Sequence, residues 1–262
     1  MKIITFLSDF GTKDSYVSQM KAVASTITNA RLIDITHEIT PHNIREGAYA
    51  LRCAAPYFPT GTVHVAVVDP GVGTERHGVL ITTSKQILIG PDNGILMPTA
   101  HFLGEYIIYE ISNEKYMLKS ISSTFQGRDI FTPVAAHITN GVPFDEIGKR
   151  TNEYVDFDFG QGELRENAIA GKVIHIDRFG NIITNLTKEI ILNALNYNKN
   201  IMVFIGDKPL KVPFVKSYGF VKNKDVLATI GSSNFFEIGI NQGNAAKKLS
   251  IKEEDKIEIL FG

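Results

Sequence analysis

The amino-acid sequence predicts an α/β fold: an N-terminal α/β domain with a mostly parallel sheet, followed by a smaller C-terminal β-barrel-like domain. In the first part of the chain, continuous apolar runs such as residues 62–68 alternate with segments of helical spacing such as residues 14–29. Strands that are buried on both faces and separated by helices are typical of parallel sheets. Beyond residue 169, short apolar runs between polar turns dominate, which is typical of a small antiparallel barrel or sandwich.

The N-terminal α/β domain is expected to occupy residues 1–160. Its strands are predicted at residues 2–8, 31–36, 62–68, 79–83, 86–89 and 106–111. Its helices are predicted at residues 14–29, 44–57 and 129–139. Apolar side chains recur at helical spacing within these segments, so each helix is expected to cover one face of the sheet.

A stretch rich in glycine and acidic residues, FDFGQGELREN, predicts the boundary between the two domains. Residues 161–168 are expected to be a linker, and residues 169–262 are expected to form the C-terminal β domain. The strands of this domain are predicted at residues 169–176, 182–185, 201–205, 226–230, 235–240 and 256–260, with one helix at residues 188–196.

Charge and cysteine content limit the classes of partner and compartment. The chain has 27 basic and 28 acidic residues, so nothing indicates a nucleic-acid surface. The one cysteine, Cys53, lies in an apolar helical run and is expected to be a core residue rather than a nucleophile. The first apolar stretch ends at Asp9 and is too short for a signal sequence. These observations predict a cytoplasmic protein that has no membrane segment.

Three aspartates lie where predicted strands of the first domain end: Asp9 in SDFG, Asp69 in VVDPGVG and Asp92 in IGPDNG. Ligands of open parallel sheets bind beyond the carboxyl ends of the strands. A single aspartate beside a glycine indicates only a turn, but three in one domain indicate a site. The turn DPGVG lacks the lysine and the glycine spacing of phosphate-binding loops, which favours a ligand without phosphates.

Arg76 follows Asp69 closely in VDPGVGTERHGV. A buried arginine at this place would pair with the carboxylate and orient it. The alternative is a solvated hairpin tip, which is the better interpretation for His77. No histidine or cysteine shares the aspartate turns at ligand spacing, so no metal site is expected.

Five motifs, taken in order along the chain, resemble the S-adenosylmethionine hydroxide adenosyltransferases. The motifs are VVDPGVGTERHGV, GPDNGIL, TFQGRDIFTPVAAH, IDRFGNIITN and GSSNFFEIGINQGNAA. This family contains the adenosine-forming S-adenosylmethionine hydrolases and is related to the fluorinases and chlorinases. The resemblance covers nearly the whole chain and implies the two-domain architecture predicted above. It also implies a homotrimer whose sites lie between subunits.

The resemblance implies a set of functional residues. Asp69, Arg76 and Gln126 occupy the positions of the family's water-activating Asp–Arg–His triad. Asp9 would accept hydrogen bonds from the two ribose hydroxyls, since a carboxylate offers paired acceptors. The other expected substrate-binding residues are His42 near the ribose, Asp177 at the methionine ammonium, Asn181 in the same pocket, Ser232 at the methionine carboxylate, and Tyr218 and Asn241 at the adenine.

Residue 126 departs from the family pattern, because this chain has TFQGRD where the family has TFHGRD. A glutamine positions a water by hydrogen bonding but takes no proton near neutral pH. Asp69 is therefore the expected base, with help from Arg76. The alternative is that Gln126 only packs beneath the helix that follows it.

The activity that the resemblance implies is hydrolysis of S-adenosyl-L-methionine to adenosine and L-methionine. An activated water would attack the ribose 5′ carbon in line with the bond to sulfur. Methionine leaves as a neutral thioether, so no metal or organic cofactor is expected. Three alternatives stay open: a halide-using adenosyltransferase, against which Asp69 counts; a non-catalytic protein that binds S-adenosylmethionine or adenosine; and a structural trimer whose aspartates only form turns.

Overall fold

The computed structural model describes residues 2–206 and 208–261. The chain divides into two compact units, Met1–Asp158 and Phe159–Gly262. Each unit contains its own cluster of buried apolar side chains. Within the described ranges, no helix is long and apolar enough to cross a membrane.

The N-terminal unit is built on a six-stranded sheet. Its strands are β1 (Ile3–Ser8), β2 (Arg31–Thr36), β3 (Val63–Val67), β4 (Gly78–Thr83), β5 (Ile87–Pro91) and β6 (Tyr106–Glu110). The spatial order is β2-β1-β3-β5-β4-β6; the first four strands run parallel, and β4 is antiparallel to both of its neighbours. β1 and β3 are buried along their whole length, which explains their continuous rather than alternating apolar sequences. The prediction of a mostly parallel sheet is confirmed.

Helices accompany this sheet along the chain. They are α1 (Tyr16–Ile27), α2 (Ile44–Ala54), α3 (Met97–Leu103), α4 (Thr132–Thr139) and α5 (Phe144–Ile147). The side chain of Asn43 caps α2 by accepting a hydrogen bond from the Glu46 N–H at 3.1 Å. α2 is shorter than the predicted segment 44–57, because Pro56 lies in a separate 3₁₀ turn, Ala55–Tyr57. The predicted helix 129–139 is likewise a π-helical turn, Gly127–Phe131, followed by α4.

The C-terminal unit is a barrel. Its strands are β7 (Glu163–Leu164), β8 (Ala168–Ile176), β9 (Ile182–Thr187), β10 (Lys199–Ile205), β11 (Lys208–Phe214), β12 (Val226–Ile230), β13 (Phe235–Ile240) and β14 (Lys256–Leu260). Its helices are α6 (Lys188–Ala194) and α7 (Ala245–Leu249), with a 3₁₀ turn at Tyr218–Phe220. The strands follow the order β14-β10-β11-β12-β13-β9-β8, and a further pairing of β14 with β8 closes seven strands into a ring. The prediction of a barrel-like C-terminal fold is confirmed.

Two strands of the barrel differ from the sequence-based expectation. β11 was not predicted because its sequence KPLKVPF contains Pro209 and Pro213, and prolines disfavour central strands. The structure tolerates them because β11 pairs along its length with β10 but with β12 only through Phe214 and Ala228. The expected linker at residues 161–168 contains the short strand β7, which pairs with β8.

Candidate active site

Asp69 and Arg76 form a buried ion pair beyond the carboxyl end of β3. Asp69 follows β3, and Arg76 lies just before β4, so one loop carries both side chains. The Arg76 Nε donates to Asp69 Oδ1 at 3.0 Å, and Nη2 donates to Oδ2. The side chain of Arg76 is only 12% exposed, and that of Asp69 is only 5% exposed. This two-pronged geometry fixes the orientation of the carboxylate.

Gln126 joins this pair through the same guanidinium group. Arg76 Nη2 also donates to Gln126 Oε1, while Nη1 donates to the main-chain carbonyl of His77 at 3.1 Å. Because the amide oxygen of Gln126 faces the arginine, its amide N–H₂ group is directed away from it. Asp69, Arg76 and Gln126, hereafter the arginine cluster, are therefore one hydrogen-bonded group.

Glycines allow the loop between β3 and β4 to approach the segment that carries Gln126. Gly73 has φ +79°, and a β-carbon there would lie 2.6 Å from the carbonyl oxygen of Ser123. A β-carbon at Gly78 would lie 2.6 Å from the ring of Phe131. That ring packs near the guanidinium carbon of Arg76, 5.3 Å from its centroid. Larger residues at these two positions would push the arginine cluster apart.

A second ion pair fixes the segment that contains Gln126. The side chain of Asp129 is fully buried and accepts hydrogen bonds from Arg128 Nε at 2.6 Å and Nη2 at 3.0 Å. Its Oδ2 also accepts the main-chain N–H of Ser122 at 2.8 Å. Arg128 in turn donates to the amide oxygen of Gln19 at 2.8 Å. The sequence motif TFQGRD therefore contributes Gln126 to the cluster and two charged residues to its support.

Asp9 lies at the same edge of the sheet as Asp69. Ser8 is opposite Val67 in the parallel register of β1 and β3, so both aspartates leave the sheet where these neighbouring strands end. Asp9 Oδ2 accepts the main-chain N–H of His42 at 2.9 Å. His42 has φ 68°, a left-handed conformation that brings its amide towards Asp9. The other oxygen of Asp9, Oδ1, does not take part in this bond.

The third aspartate of the predicted constellation, Asp92, makes a different contact. Asp92 Oδ1 accepts the main-chain N–H of Val155 at 2.9 Å. This bond holds residues near the end of the N-terminal unit against the turn after β5. Asp92 follows β5, which runs parallel to β3, so it leaves the sheet at the same edge as Asp9 and Asp69, but its Oδ1 is occupied by this main-chain contact.

The C-terminal unit contains a pocket of about 640 Å³ on the outer face of β12 and β13. Five of the expected substrate-binding residues line it: Asp177, Asn181, Tyr218, Ser232 and Asn241. We call this cavity the C-terminal pocket. The sequence motifs from which these residues come are up to 64 positions apart, from Asp177 to Asn241, and the barrel brings them together.

Asp177 is held by the tight turn that follows β8. Its Oδ1 accepts the main-chain N–H groups of Phe179 and Asn181, both at 2.9 Å, and its Oδ2 accepts the Asn181 side-chain amide at 2.8 Å. Gly180 has φ +82°, and a β-carbon there would lie 2.0 Å from Asn244, so only glycine fits. The turn leaves Phe179 74% exposed at the pocket, where its ring offers an apolar face.

Glu237 also lines the C-terminal pocket and is not among the residues expected from the sequence. It lies on β13 opposite Thr229 of β12, and its Oε1 accepts the hydroxyl of Tyr218. Two glycines make room for this pair. A β-carbon at Gly239 would lie 2.4 Å from the Tyr218 hydroxyl oxygen, and one at Gly231 would lie 2.3 Å from Glu237 Oε2. The available signal was a charged residue within the apolar strand FFEIGI.

The surroundings of Glu237 disfavour its charged form. Burial raises the pKa of Glu237, and the negative charge of Asp177 raises it further, while the hydrogen bond from Tyr218 opposes these effects. Burial also raises the pKa of the Tyr218 phenol, and the contact with Glu237 adds to that effect. The phenol therefore remains a hydrogen-bond donor at neutral pH.

The two remaining residues of the expected site differ in how they are held. Ser232 is exposed at the pocket, in the turn between β12 and β13. Asn241 is half-buried, and its side-chain amide donates to the carbonyl of Val221 at 3.0 Å. Its main-chain N–H donates to the carbonyl of Asp225 at 3.0 Å. Asn241 thus anchors the loop that carries residues 221–225.

Over residues 2–206 and 208–261, no three histidine, cysteine, aspartate or glutamate side chains are grouped so that they could hold a metal ion. The arginine cluster offers a carboxylate, an amide and a guanidinium group, and the C-terminal pocket offers carboxylates, amides, hydroxyls and the ammonium of Lys216.

Comparison with known proteins gives matches over both units. The family model described as the SAM hydroxide adenosyltransferase N-terminal domain matches residues 4–148, and the corresponding C-terminal domain model matches residues 171–258. A protein of Methanocaldococcus jannaschii named (R)-S-adenosyl-L-methionine hydrolase is 42% identical, with 100% of this chain and 97% of the relative covered. A Thermus thermophilus protein of the same name is 34% identical, with 99% and 100% covered.

More distant relatives and solved structures are consistent with these matches. A fluorinase of Actinopolyspora mzabensis is 25% identical over 98% of this chain and 96% of its own length. The crystal structure of an uncharacterized conserved protein from Thermotoga maritima has a TM-score of 0.93 and 38% identity, with 98% of this chain and 100% of that chain covered.

Proposed function

The chain belongs to the SAM hydroxide adenosyltransferase family, and on that premise we propose that it hydrolyses S-adenosyl-L-methionine to adenosine and L-methionine. Full-length relatives that are named hydrolases and are up to 42% identical support this activity. The observation that carries the proposal is the arginine cluster, which offers an oriented carboxylate and an amide at one edge of the sheet.

Asp69 is the base in this proposal. Each of its oxygens accepts one hydrogen bond from Arg76, which leaves further lone pairs free to accept an O–H of water. Gln126 directs its amide N–H₂ group away from the arginine and would donate to the oxygen of the same water. Arg76 keeps the carboxylate and the amide in a fixed relation, so the water is placed before it reacts.

The reaction is a single displacement. The water oxygen forms a bond to the ribose 5′ carbon while the bond from that carbon to sulfur breaks, and its electron pair stays on sulfur. Sulfur loses its positive charge, so methionine departs as a neutral thioether and needs no acid. The proton of the attacking water passes to Asp69, which later releases it to solvent. S-adenosylmethionine is the substrate, and the chemistry requires no cofactor.

Substrate binding is assigned to both units. Asp9 accepts the ribose hydroxyls through Oδ1, with its other oxygen held by the main chain of His42, whose ring lies near the ribose. The residues of the C-terminal pocket hold the rest of the substrate: Asp177 at the ammonium with Asn181 beside it, Ser232 at the carboxylate, and Tyr218 and Asn241 at the adenine. The 640 Å³ volume of that pocket lies within the range of about 300–1,000 Å³ that is usual for small-molecule sites.

The active unit in this proposal is a homotrimer with sites formed between subunits, as the family resemblance implies. The support from this chain is that the expected binding residues divide between two compact units. The names of the relatives also specify the (R) diastereomer at sulfur, and we assign the same diastereomer to this chain.

The function is tested by incubating the pure protein with each diastereomer of S-adenosylmethionine in halide-free buffer and separating the products by chromatography. Equal amounts of adenosine and methionine, formed faster from the (R) diastereomer, are expected. Consumption of neither diastereomer would refute the activity. A 5′-halogenated nucleoside that forms only when halide is added would instead support a halide-using adenosyltransferase, the activity class of the distant fluorinases.

A further inference from the structure

We propose that Glu237 and Thr229 form a second acceptor site in the floor of the C-terminal pocket, where they bind the α-ammonium group of the substrate together with Asp177. This inference rests on the proposed function and extends it to two residues that the family resemblance did not assign. Glu237 is then a specificity-determining residue for a substrate that carries an amino acid.

Asp177 alone cannot satisfy an ammonium group. A carboxylate has about four lone-pair positions, and an ammonium group has three N–H donors. Both positions of Asp177 Oδ1 are occupied by the N–H groups of Phe179 and Asn181, and Oδ2 already accepts the Asn181 amide. One position therefore remains on Asp177, so further acceptors must come from elsewhere in the pocket.

Thr229 is an unsatisfied polar group at the right place. Its residue is only 3% exposed, it lines the C-terminal pocket, and its hydroxyl has no hydrogen-bond partner among the described residues. Buried hydroxyl groups nearly always have a partner, because water is no longer available to them. A ligand group with N–H donors would supply that partner.

Glu237 lies beside Thr229, and its Oε2 can serve as a second hydrogen-bond acceptor. The two residues are directly opposite in the antiparallel register of β12 and β13, so their side chains leave the same face of the barrel. Tyr218 donates to Oε1, and within the described part of the chain no hydrogen bond to Oε2 is found. Oε2 packs against Gly231, where a β-carbon would lie 2.3 Å from it, so only glycine at position 231 allows the carboxylate this place.

The charges of the pocket favour a cation as the occupant. Asp177 and Glu237 line the same cavity, and neither forms an ion pair with a cationic side chain in the described residues. Lys216, the cation among the lining residues, is exposed to solvent. Of the nitrogen groups of S-adenosylmethionine, the α-ammonium is both cationic and rich in N–H donors, whereas the adenine amine is neutral. A desolvated cation gains most from two carboxylates.

The test compares wild type with Glu237→Gln and Thr229→Val on S-adenosylmethionine and on an analogue in which hydrogen replaces the α-amino group. Glutamine keeps an acceptor for the Tyr218 hydroxyl but removes the charge, and valine keeps the shape of threonine without its hydroxyl. We expect wild type to favour the amino substrate and Glu237→Gln to lose about tenfold of that preference in kcat/KM. Thr229→Val should lose about threefold. Glu258→Gln on β14, outside the pocket, is the matched control and should lose none.

A second measurement identifies which amino group is bound. Calorimetric binding of adenosine, which lacks the ammonium, should be unchanged within about twofold in Glu237→Gln. Equal losses of kcat/KM on both substrates, or weakened adenosine binding with the preference retained, would overturn the assignment to the ammonium. If wild type itself consumes no S-adenosylmethionine, the proposed function fails. If wild type is active and the preference survives in Glu237→Gln, only this inference fails.

Discussion

The two sites differ in whether their carboxylates are paired with a cationic side chain. In the N-terminal unit, Asp69 is paired through both oxygens with Arg76, so the arginine cluster is neutralised by the protein itself. In the C-terminal pocket, Asp177 and Glu237 line one cavity, and among the described residues neither is ion-paired with a cationic side chain. A neutralised, rigid carboxylate suits the placement of a neutral water, whereas uncompensated carboxylates suit a cationic ligand. Substitutions in the first site should therefore affect kcat, and those in the second should affect substrate affinity.

The largest effect that this comparison predicts is at Asp69. Asp69→Ala should lower kcat about a hundredfold or more, because the displacement loses its base, while KM changes little. Asp92→Ala is the matched control, since Asp92 follows a strand of the same sheet but bonds to the main chain of Val155. Steady-state rates of both variants check the prediction. Undiminished adenosine production by Asp69→Ala would show that Asp69 is not the base.

Sharing of sites between subunits gives the next largest effect. At substrate concentrations well below KM, Asp69→Ala protein lacks the base and Asp177→Ala protein binds substrate poorly, and activity should rise when the two are unfolded together and reassembled in equal amounts. If each site takes one unit from each of two neighbouring subunits in a cyclic trimer, about a quarter of the sites contain no substitution. Each variant reassembled alone is the control. Well-mixed hybrids without recovery, or a fully active monomer by light scattering, would refute shared sites.

Substitution of Gln126 by histidine should change kcat less than Asp69→Ala does, and should raise it rather than lower it. Gln126→His should raise kcat about tenfold, equivalent to about 1.4 kcal/mol of barrier, because an imidazole can take a proton near neutral pH. Gln126→Ala should slow the reaction, since the contact with Arg76 and the donor to water are both lost. Rates are measured beside thermal melts. If both variants keep the wild-type rate but change in melting temperature, Gln126 contributes only to packing and not to the reaction.

The smallest effect is on stability in the absence of substrate. The pKa of Glu237 is raised in the folded pocket, so its ionisation opposes folding. The protonated form contributes stability below the usual glutamate pKa, and that contribution is lost as pH rises through the folded value. Glu237→Gln should therefore melt a few degrees higher than wild type at pH 8, with the difference shrinking towards pH 4. An equal difference at both pH values would contradict uncompensated charge in the pocket.

The general fold could be predicted from the sequence because burial leaves a pattern along the chain. The continuous apolar strands β1 and β3 indicated a parallel sheet, and the short strands after residue 169 indicated a barrel. The missed elements break those patterns. α3 is apolar on nearly every side and buried, so it shows no helical periodicity. β11 contains two prolines that are tolerated only because one of its sides is mostly unpaired.

The candidate sites were predictable where one motif contains the whole arrangement. The turn IDRFGN makes its own hydrogen bonds around Asp177, and the loop DPGVGTER carries both members of the Asp69–Arg76 pair. Glu237 was not predictable, because its burial depends on Tyr218 folding back over Gly239 from a distant loop. Asp92 resembled Asp9 and Asp69 in sequence, and only the contact with Val155 separates it from them.

The origin of the oxygen in the product tests the central claim most directly. The protein is incubated with S-adenosylmethionine in water enriched in oxygen-18, and both products are analysed by mass spectrometry. Attack of water on the 5′ carbon predicts one labelled oxygen in the 5′ hydroxyl of adenosine and none in methionine, with the same rate whether or not halide is present. Unlabelled adenosine, or label in methionine, would contradict displacement at the 5′ carbon by water that the arginine cluster holds.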